Sequence, residues 1–436
     1  MKLHIFQSDK GDCLLLSSTG GKHMLIDGGM SSSMKEYVRD ELPKLVGNEG
    51  EIEFAYISHI DQDHISGVLA LLQDMLEWRV HDFHKKKGNT SVKKPDVPRP
   101  PKIKNLLHNA FHDQIGKNSG DLQDQLAVSS RAYLGTSVPK LQDYGANTQE
   151  LALSVEEAIK VSSLTSAKLL DIPINQVSGS AKGKLIFIRK EKIRLKLGNA
   201  KITVVGPTAD EIEQLRQGWN NWLRENKEKV KTLREKQKDQ IERFAEGTTS
   251  HNPFDLSDWN GIEDYKGVTT PNIASLMLMV EEEGKTILLT GDSQQDIILK
   301  GLKLTGYLDD GYLHLNILKV QHHGSENNTD EDFCKTVSAD HYIFCGNGEH
   351  GNPELTVIEQ YYNSRFGAPG LRARSPLANG RTTHFWFSTS TGSLPKGSKE
   401  RETFSAVEKL VKRLAVKSGG QLKVHFNTDA YQTVNL

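Results

Sequence analysis

The sequence predicts a mixed α/β fold in which several buried strands end at one edge, and two observations predict it. Apolar runs with the period of strands alternate along the chain with runs of helical period. Three of the strand-like runs, Phe54–Ile57, Thr286–Leu289 and Leu315–Val320, pass directly into polar clusters. These are Ser58-His59-Ile60-Asp61-Gln62-Asp63-His64, Thr290-Gly291-Asp292-Ser293 and Gln321-His322-His323-Gly324-Ser325. Side chains on a tight loop leaving a buried strand converge on one point. Two histidines and two carboxylates between His59 and His64 suit one or two divalent metal ions.

Composition narrows the class. At 436 residues the chain has room for two or three domains, or for one large α/β domain with insertions. Lys and Arg total 55 against 56 Asp and Glu, a formal net charge of -1, so bulk charge selects no partner. Cys13, Cys334 and Cys345 form no CxxC pair, which fits a reducing compartment rather than a disulfide framework. No run approaches the roughly 18 apolar residues of a membrane span. The expectation is a cytoplasmic protein without membrane contact.

In order, Leu3 and Ile5, then Cys13–Leu16, then Met24–Ile26 read as antiparallel strands with glycine punctuation at Gly11 and at Gly20-Gly21. Asp27-Gly28-Gly29 closes the third strand, and Asp27 there either orients a metal-bound histidine from behind or simply initiates the turn. A helix over about 33–45 and a strand over 52–57 complete a β-β-β-α-β lead-in to the first polar cluster. His64 opens a helix with Ile65, Val68, Leu69 and Leu72 on one face, and its N-terminus adds a field that favours an anion. Residues 84–104 carry Lys85, Lys86, Lys87, Lys93, Lys94, Arg99, Lys102 and Lys104 among four prolines, a solvated connector or a phosphate-attracting flap. His108 and His112 follow a strand-like stretch over 103–107.

A helical pattern over 151–170 carries no chemistry, and strands are expected over 185–188, 193–197 and 202–207. A charged helix over 210–246 has Ile212, Leu215, Trp219, Leu223, Val230, Leu233, Ile241 and Phe244 at spacings of three and four, as a packed insertion, a lid or a dimerisation arm would. The run from Thr270 to Val280 and the run into Thr290-Gly291-Asp292 form a hairpin. Its terminal Asp292 can bridge two cations, one per carboxylate oxygen. The last third gives a helix from about 357, a strand over 384–387, a helix over 404–416 and a strand over 422–426, finishing a second sheet and partly roofing the site.

Taken together the motifs resemble the metallo-β-lactamase fold superfamily and, within it, the hydrolase domain of the ComEC/Rec2 competence proteins. The resemblance rests on Gly11-Asp12-Cys13-Leu14-Leu15-Leu16, Leu25-Ile26-Asp27-Gly28-Gly29, the His59-to-His64 cluster, Asn272-Ile273-Ala274-Ser275-Leu276, Leu289-Thr290-Gly291-Asp292 and Leu318-Lys319-Val320-Gln321-His322-His323-Gly324-Ser325. The turn Gly346 to Glu354 resembles the same branch, and the motif order is kept over about 1–110 and 184–365. The resemblance implies a four-layer αβ/βα sandwich in a single domain over 1–436, with an insertion over about 111–183, a helical insertion over about 208–268 and a C-terminal completion over 366–436.

It also implies two divalent ions, zinc first and manganese as the alternative. His59 and Asp61 would hold the first, Asp63, His64 and His323 the second, and Asp292 would bridge, with His322 beside them. Two departures mark this chain: Asp61 stands where a histidine is usual, and Asn272 replaces a middle histidine, for which His108 or His350 is a substitute. Oxygen-richer ligands weaken the preference for zinc.

The reaction class expected of such a site is hydrolysis, since a divalent ion lowers the pKa of water toward about 7. Asp63 accepts a proton and His322 or His350 donates one to the leaving group. ComEC-like enzymes point to phosphodiesters, hence a nuclease or phosphodiesterase with nucleic acid as partner. The lysines at 85–104 and Arg372, Arg374 and Arg381 would suit a polyanion. The alternatives are a small anionic ester or cyclic nucleotide as substrate, or a non-catalytic metal-bound binding module. An oligomer would form through the 210–246 helix.

Overall fold

The computed structural model describes residues 1–47, 50–88, 93–110, 153–177, 185–190, 193–225 and 271–436. Its strands, in chain order, begin with β1 (Lys2–Phe6), β2 (Leu14–Ser17), β3 (His23–Ile26), β4 (Glu51–Ile57), β5 (Lys102–Ile103), β6 (Leu106–His108), β7 (Arg194–Leu197) and β8 (Ala200–Gly206). They continue with β9 (Met277–Glu282), β10 (Lys285–Leu289), β11 (Leu313–Lys319), β12 (Val337–Phe344), β13 (Thr383–Phe387), β14 (Leu422–Phe426) and β15 (Tyr431–Asn435). One sheet has the order β15-β1-β2-β3-β4-β5, with β6 also on β4, and the other runs β14-β13-β12-β11-β10-β9-β8-β7.

Both sheets are mixed. Antiparallel pairs join β15, β1, β2 and β3, then β3 to β4 is parallel. In the second sheet β7 to β10 are antiparallel and β10 to β14 parallel. The β9–β10 hairpin turns on two residues, Glu283 at φ 51° and Gly284 at φ 75°, the left-handed pair that two-residue hairpins favour.

Three apolar layers account for the stacking. Leu14, Leu16, Met24 and Tyr56 of the first sheet meet Leu278, Val280, Ile287 and Ile317 of the second between the sheets. The outer face of the first sheet packs Leu15, Leu25 and Ala55 against Val68, Leu71 and Leu72 of the helix Gln62–Lys86, and Val155, Ala158 and Val161 of the helical segment 153–164 join them. The outer face of the second sheet buries Tyr342, Phe344, Phe385 and Phe387 under the helices Gln295–Leu304, Leu355–Phe366 and Lys399–Lys417. Strand residues of alternating direction thus supply both faces of each sheet, and helices with apolar stripes cover the outsides. The described residues form a four-layer αβ/βα sandwich.

Several expected elements differ. The helix over 33–45 is broken into Ser31–Ser33, a wider turn Met34–Val38 and Leu42–Val46, the last carrying Pro43 in its first turn, where the missing N–H does no harm. Residues 185–188 make no ladder, because Ile186 N donates to Asn109 Oδ1 and Ile188 N to Pro207 O instead. The stretch 103–107 divides into β5 and β6, since Asn105 turns its side chain to Gln176. The segment 271–274 is a short 3-10 turn, so Asn272 precedes the strand and does not lie in it. β15, polar and at a sheet edge, crosses back to β1 and so closes the first sheet with the last residues of the chain. Residues 111–152 and 226–270, including His112 and the distal part of the 210–246 helix, lie outside the described residues, as do the side chains of Trp219 and Leu223.

The basic connector is no flap over the polar clusters. Lys85 and Lys86 close a 25-residue helix whose first turn adjoins the first cluster, so they stand roughly 36 Å away by helical rise. Beyond them the chain is pinned to that helix. Arg99 forks onto Asp82 at 2.7 and 2.8 Å and stacks over Trp78, whose indole N–H donates to the carbonyls of Val97 and Pro98. Lys104 pairs with Glu51 and Glu53 at the entry of β4.

Candidate metal centre

The strand ends β4, β10 and β11 bring their clusters together, and the turn between β1 and β2 joins them. Close backbone approach makes this geometry. A Cβ on Gly11 would fall 1.7 Å from the Asp63 carbonyl oxygen, and one on Gly67 would fall 1.9 Å from the Gly28 carbonyl oxygen. Only glycine allows the β1–β2 turn and the end of β3 to press on the first turn of the helix Gln62–Lys86. His322 and His323 take φ of 44° and 54°. Such left-handed backbone is uncommon for histidine and is a form of strain met at functional turns.

One oxygen is the hub. Asp292 Oδ2 lies 3.1 Å from His323 Nε2, 3.3 Å from His64 Nε2, and 3.8 Å from both His59 Nε2 and His322 Nε2. The Nε2 atoms of His64 and His323 face each other at 3.4 Å, and Asp63 Oδ2 lies 3.1 Å from His323 Nε2 and 3.7 Å from His64 Nε2. His64, His323, Asp63 and Asp292 therefore enclose one position. The edges match those around a four-coordinate ion with bonds of about 2.0–2.2 Å.

His59 Nε2, buried and without a hydrogen bond, lies 3.4 Å from Asp61 Oδ2, and these two face a second position across Asp292. Asp61 occupies the N-cap of the helix yet makes no capping bond. It forgoes about 0.5–2 kcal/mol of helix stabilisation and turns toward His59. An orphaned buried imidazole nitrogen and mutually facing Nε2 atoms are what a divalent ion would satisfy, so the residues present fit such ions.

The rings are held from behind. Asp27 Oδ2 sits 3.1 Å from His64 Nδ1, and Asp27 also accepts from the backbone N–H and the hydroxyl of Ser58. Asp12 Oδ1 lies 3.2 Å from His323 Nδ1, an electrostatic contact rather than an aligned hydrogen bond. Asp12, His64, Asp292 and His323 each bring a ligand-type atom within 4.8 Å of the others. Asp12, however, meets the rings on their Nδ1 side, so it would orient the imidazoles of a bound ion rather than bind beside them. Asn328 Nδ2 donates to the carbonyls of Asp292 and Ser293, which leaves its Oδ1 facing His322 Nδ1 at 2.6 Å. His322 Nδ1 then carries the proton, and its Nε2 lone pair faces Asp292 and the amide of Asn272 at 3.4 Å.

Electrostatics follow the crowding. Burial would raise the Asp63 carboxyl, but His64 and His323 outweigh it and hold it well below the usual range. The same balance, with Lys319 added, holds Asp12 and Asp292 low. Burial would lower the imidazoles of His64 and His323, and the surrounding carboxylates raise both instead. Lys319, only 2% exposed, stays charged because Asp12 and Asp292 overcome its burial.

Of the residues marked out by the sequence, His59, Asp61, Asp63, His64, Asp292, His322 and His323 converge here. His108 ends β6 in the interior beside Ile57, and His350 is exposed on the turn 349–351, its ring 3.6 Å from Glu349. Neither is among the imidazoles within 4.0 Å of Asp292. Sequence reading missed Asp12 and Lys319 as parts of the site. Signals for both existed: Gly11-Asp12 repeats the Gly-Asp pair of Gly291-Asp292, and Lys319 is a lone charge in an apolar strand beside two histidines.

Two mixed sheets back to back, with helices outside and a His/Asp cluster at one edge that could hold a metal ion, make the arrangement of a metallo-β-lactamase fold. No family profile and no curated protein matches the chain. Among solved structures the chain is similar to Zn(2+)-bound PqqB from Methylobacterium extorquens, at 11% identity and a TM-score of 0.32 over 100% of both chains. It is similar also to a metallo-beta-lactamase with a HARLDQ motif from Cronobacter sakazakii, at 10% identity and a TM-score of 0.26 over 94% of this chain and 91% of that one. The class rests on the strand order and the cluster, not on these distant likenesses. No helix among the described residues is long and apolar enough to cross a membrane.

Proposed function

We propose that the protein is a metal-dependent phosphodiesterase. The observation that carries the metal dependence is the convergence of four imidazole Nε2 atoms within 3.8 Å of the single oxygen Asp292 Oδ2. His64, His323 and Asp63 would hold one divalent ion, His59, Asp61 and His322 another, and Asp292 both. Ions held there would lower the pKa of a water and polarise a phosphoryl oxygen, activating the phosphorus to attack. His322 thus supplies the nitrogen that Asn272 does not, and with its Nε2 unprotonated it serves as a ligand rather than as the acid. Asp63, 3.1 Å from His323 Nε2 at the first metal position, would accept the proton of the attacking water. His350, its side chain 60% exposed, would be left to protonate the leaving group.

Several candidate protein nucleophiles among the described residues are engaged or buried. Ser58 Oγ donates to Asp27, Ser275 Oγ accepts from Asp292 N, and burial pushes the thiols of Cys13 and Cys345 well up. The substrate class draws on the ComEC/Rec2-like motifs, and nucleic acid is their natural extension. One observation favours a compact phosphodiester such as a cyclic nucleotide instead. Arg374 pairs with Asp332, Arg381 with Asp340 and Arg99 with Asp82, so cations expected to attract a polyanion already face acids.

Purified protein offered DNA, RNA, cyclic nucleotides and bis-p-nitrophenyl phosphate with Zn²⁺ or Mn²⁺ is expected to turn over at least one of them. Asp63→Ala and Asp292→Ala should each lower that rate by more than the roughly 10–100-fold typical of losing an outer-shell partner. Bound metal without turnover on any substrate would mean a binding module and sink the enzyme reading.

A further inference from the structure

Behind the metal centre lies a cation that the proposed chemistry does not use. Lys319 is the last residue of β11, and its side chain points into the interior at the edge where the polar clusters meet. Its ammonium has three donors and three acceptors: a close contact to Asp12 Oδ2, the carbonyl of Gly291 at 3.2 Å and Asp292 Oδ1 at 3.4 Å. The two oxygens of Asp292 therefore face opposite ways, Oδ1 to the lysine and Oδ2 to the four imidazoles. Asp12 is divided likewise, Oδ2 to the lysine and Oδ1 to His323 Nδ1.

We infer that Lys319 is a positioning residue of the metal centre: it takes the outer oxygen of Asp292, so that this carboxylate offers one oxygen to both metal positions, and it holds Asp12 against the back of His323. This differs from the expectation that each oxygen of Asp292 serves one ion. It also sets the charge of the neighbourhood. Asp12, Asp27, Asp61, Asp63 and Asp292 carry five negative charges and Lys319 one positive, and the remaining four match two divalent ions. Buried charge that is not matched is costly, so the lysine makes a two-ion centre the neutral state.

The inference rests on the metal centre proposed above and not on its substrate. Co²⁺ binding without turnover would end the hydrolase reading and leave the role of Lys319 open to the same test. Two variants separate positioning from simple charge pairing in the full-length protein. Lys319→Met keeps the length of the side chain and removes its charge, and Lys319→Met with Asp12→Asn restores the net charge. The double variant is expected to regain the thermal stability of the metal-free wild type. It should still bind Co²⁺ about 10–100-fold more weakly than Asp12→Asn alone, with altered visible d–d bands as Asp292 turns.

Affinity and bands in the double variant equal to those of Asp12→Asn alone would overturn the inference, since the lysine would then do no more than pair with Asp12. Where neither variant folds, a crystal structure of the zinc-loaded wild type decides. Asp292 Oδ1 on Lys319 supports the role, and Oδ1 on a metal ion removes it.

Discussion

The amide of Asn328 is fixed by the carbonyls of Asp292 and Ser293, and through it the proton of His322 is placed. Asn328→Ala frees the His322 ring while leaving Asp27, Asp12 and the other histidines as they are. One ion should then bind about 10–100-fold more weakly while the other keeps its affinity, which a two-phase metal titration by calorimetry would resolve. Equal weakening of both ions would contradict the split into a His322 side and a His323 side. At this scale the sequence shows ligand types well and their handlers poorly. His59, Asp61, Asp63 and His64 stand within a few residues of each other and announce chemistry by density. Asp12 and Lys319 act from behind, from separate strands, and a single carboxylate after a glycine or a single lysine in a strand carries no local sign of what it will meet. Asn272 was legible as a departure, but the approach of the neighbouring His322 to Asn272 and Asp292 depended on a turn with φ of 44° that no spacing rule encodes.

The elements that carry these residues meet through glycine. Gly11 lies where the β1–β2 turn touches the helix start, and an added Cβ would stand 1.7 Å from the carbonyl oxygen of Asp63. Both sides of that contact are backbone, so neither can swing away. Gly11→Ala should cost about 1–3 kcal/mol, the usual range for overpacking, readable as a lower urea midpoint. It should also lower metal affinity, because Asp63 moves with its carbonyl. An unchanged midpoint would show that the turn yields freely. Strands that read as continuous apolar runs, such as β4, β10 and β11, were visible from pattern alone, since both their faces are buried over those runs. Those that were missed or misplaced are governed by partners distant in sequence. β15 is polar because it is an edge, and it becomes a strand only by pairing with β1. Residues 185–188 look like a strand but spend their hydrogen bonds on Asn109 and Pro207.

For the molecule as a whole, buried strands and helices were legible as apolar runs, yet which face meets which of the three apolar layers emerges only when the two sheets stack. One result of that stacking is a column of rings on the second sheet, away from the metal centre. His341 stacks on His384 at 4.5 Å and Trp386 on His425 at 3.7 Å, while His384 Nδ1 and His425 Nε2 share a proton at 3.0 Å. Trp386 donates to His341 Nδ1 at 3.0 Å, which requires that nitrogen to be unprotonated. Burial first, then the neighbouring imidazoles, push His341 and His425 down to about 4, with Lys285 adding to the effect on His341 and Asp340 opposing it. His384 is lowered by burial, with Lys423 adding and Asp340 opposing. A histidine whose folded pKa lies below its unfolded value of about 6.5 binds fewer protons when folded. Its contribution to stability is full above about pH 6.5 and is lost as the pH falls toward 4. Glu157, raised to about 7 by burial, works the opposite way over part of that window, so the column is best read by difference. With metal removed by a chelator, the urea midpoint of the wild type is expected to fall more steeply between pH 7 and pH 5 than that of a His341→Gln, His425→Gln double variant. Parallel profiles would mean that the rings titrate as they do in the unfolded chain, and that the column is packing without electrostatic consequence.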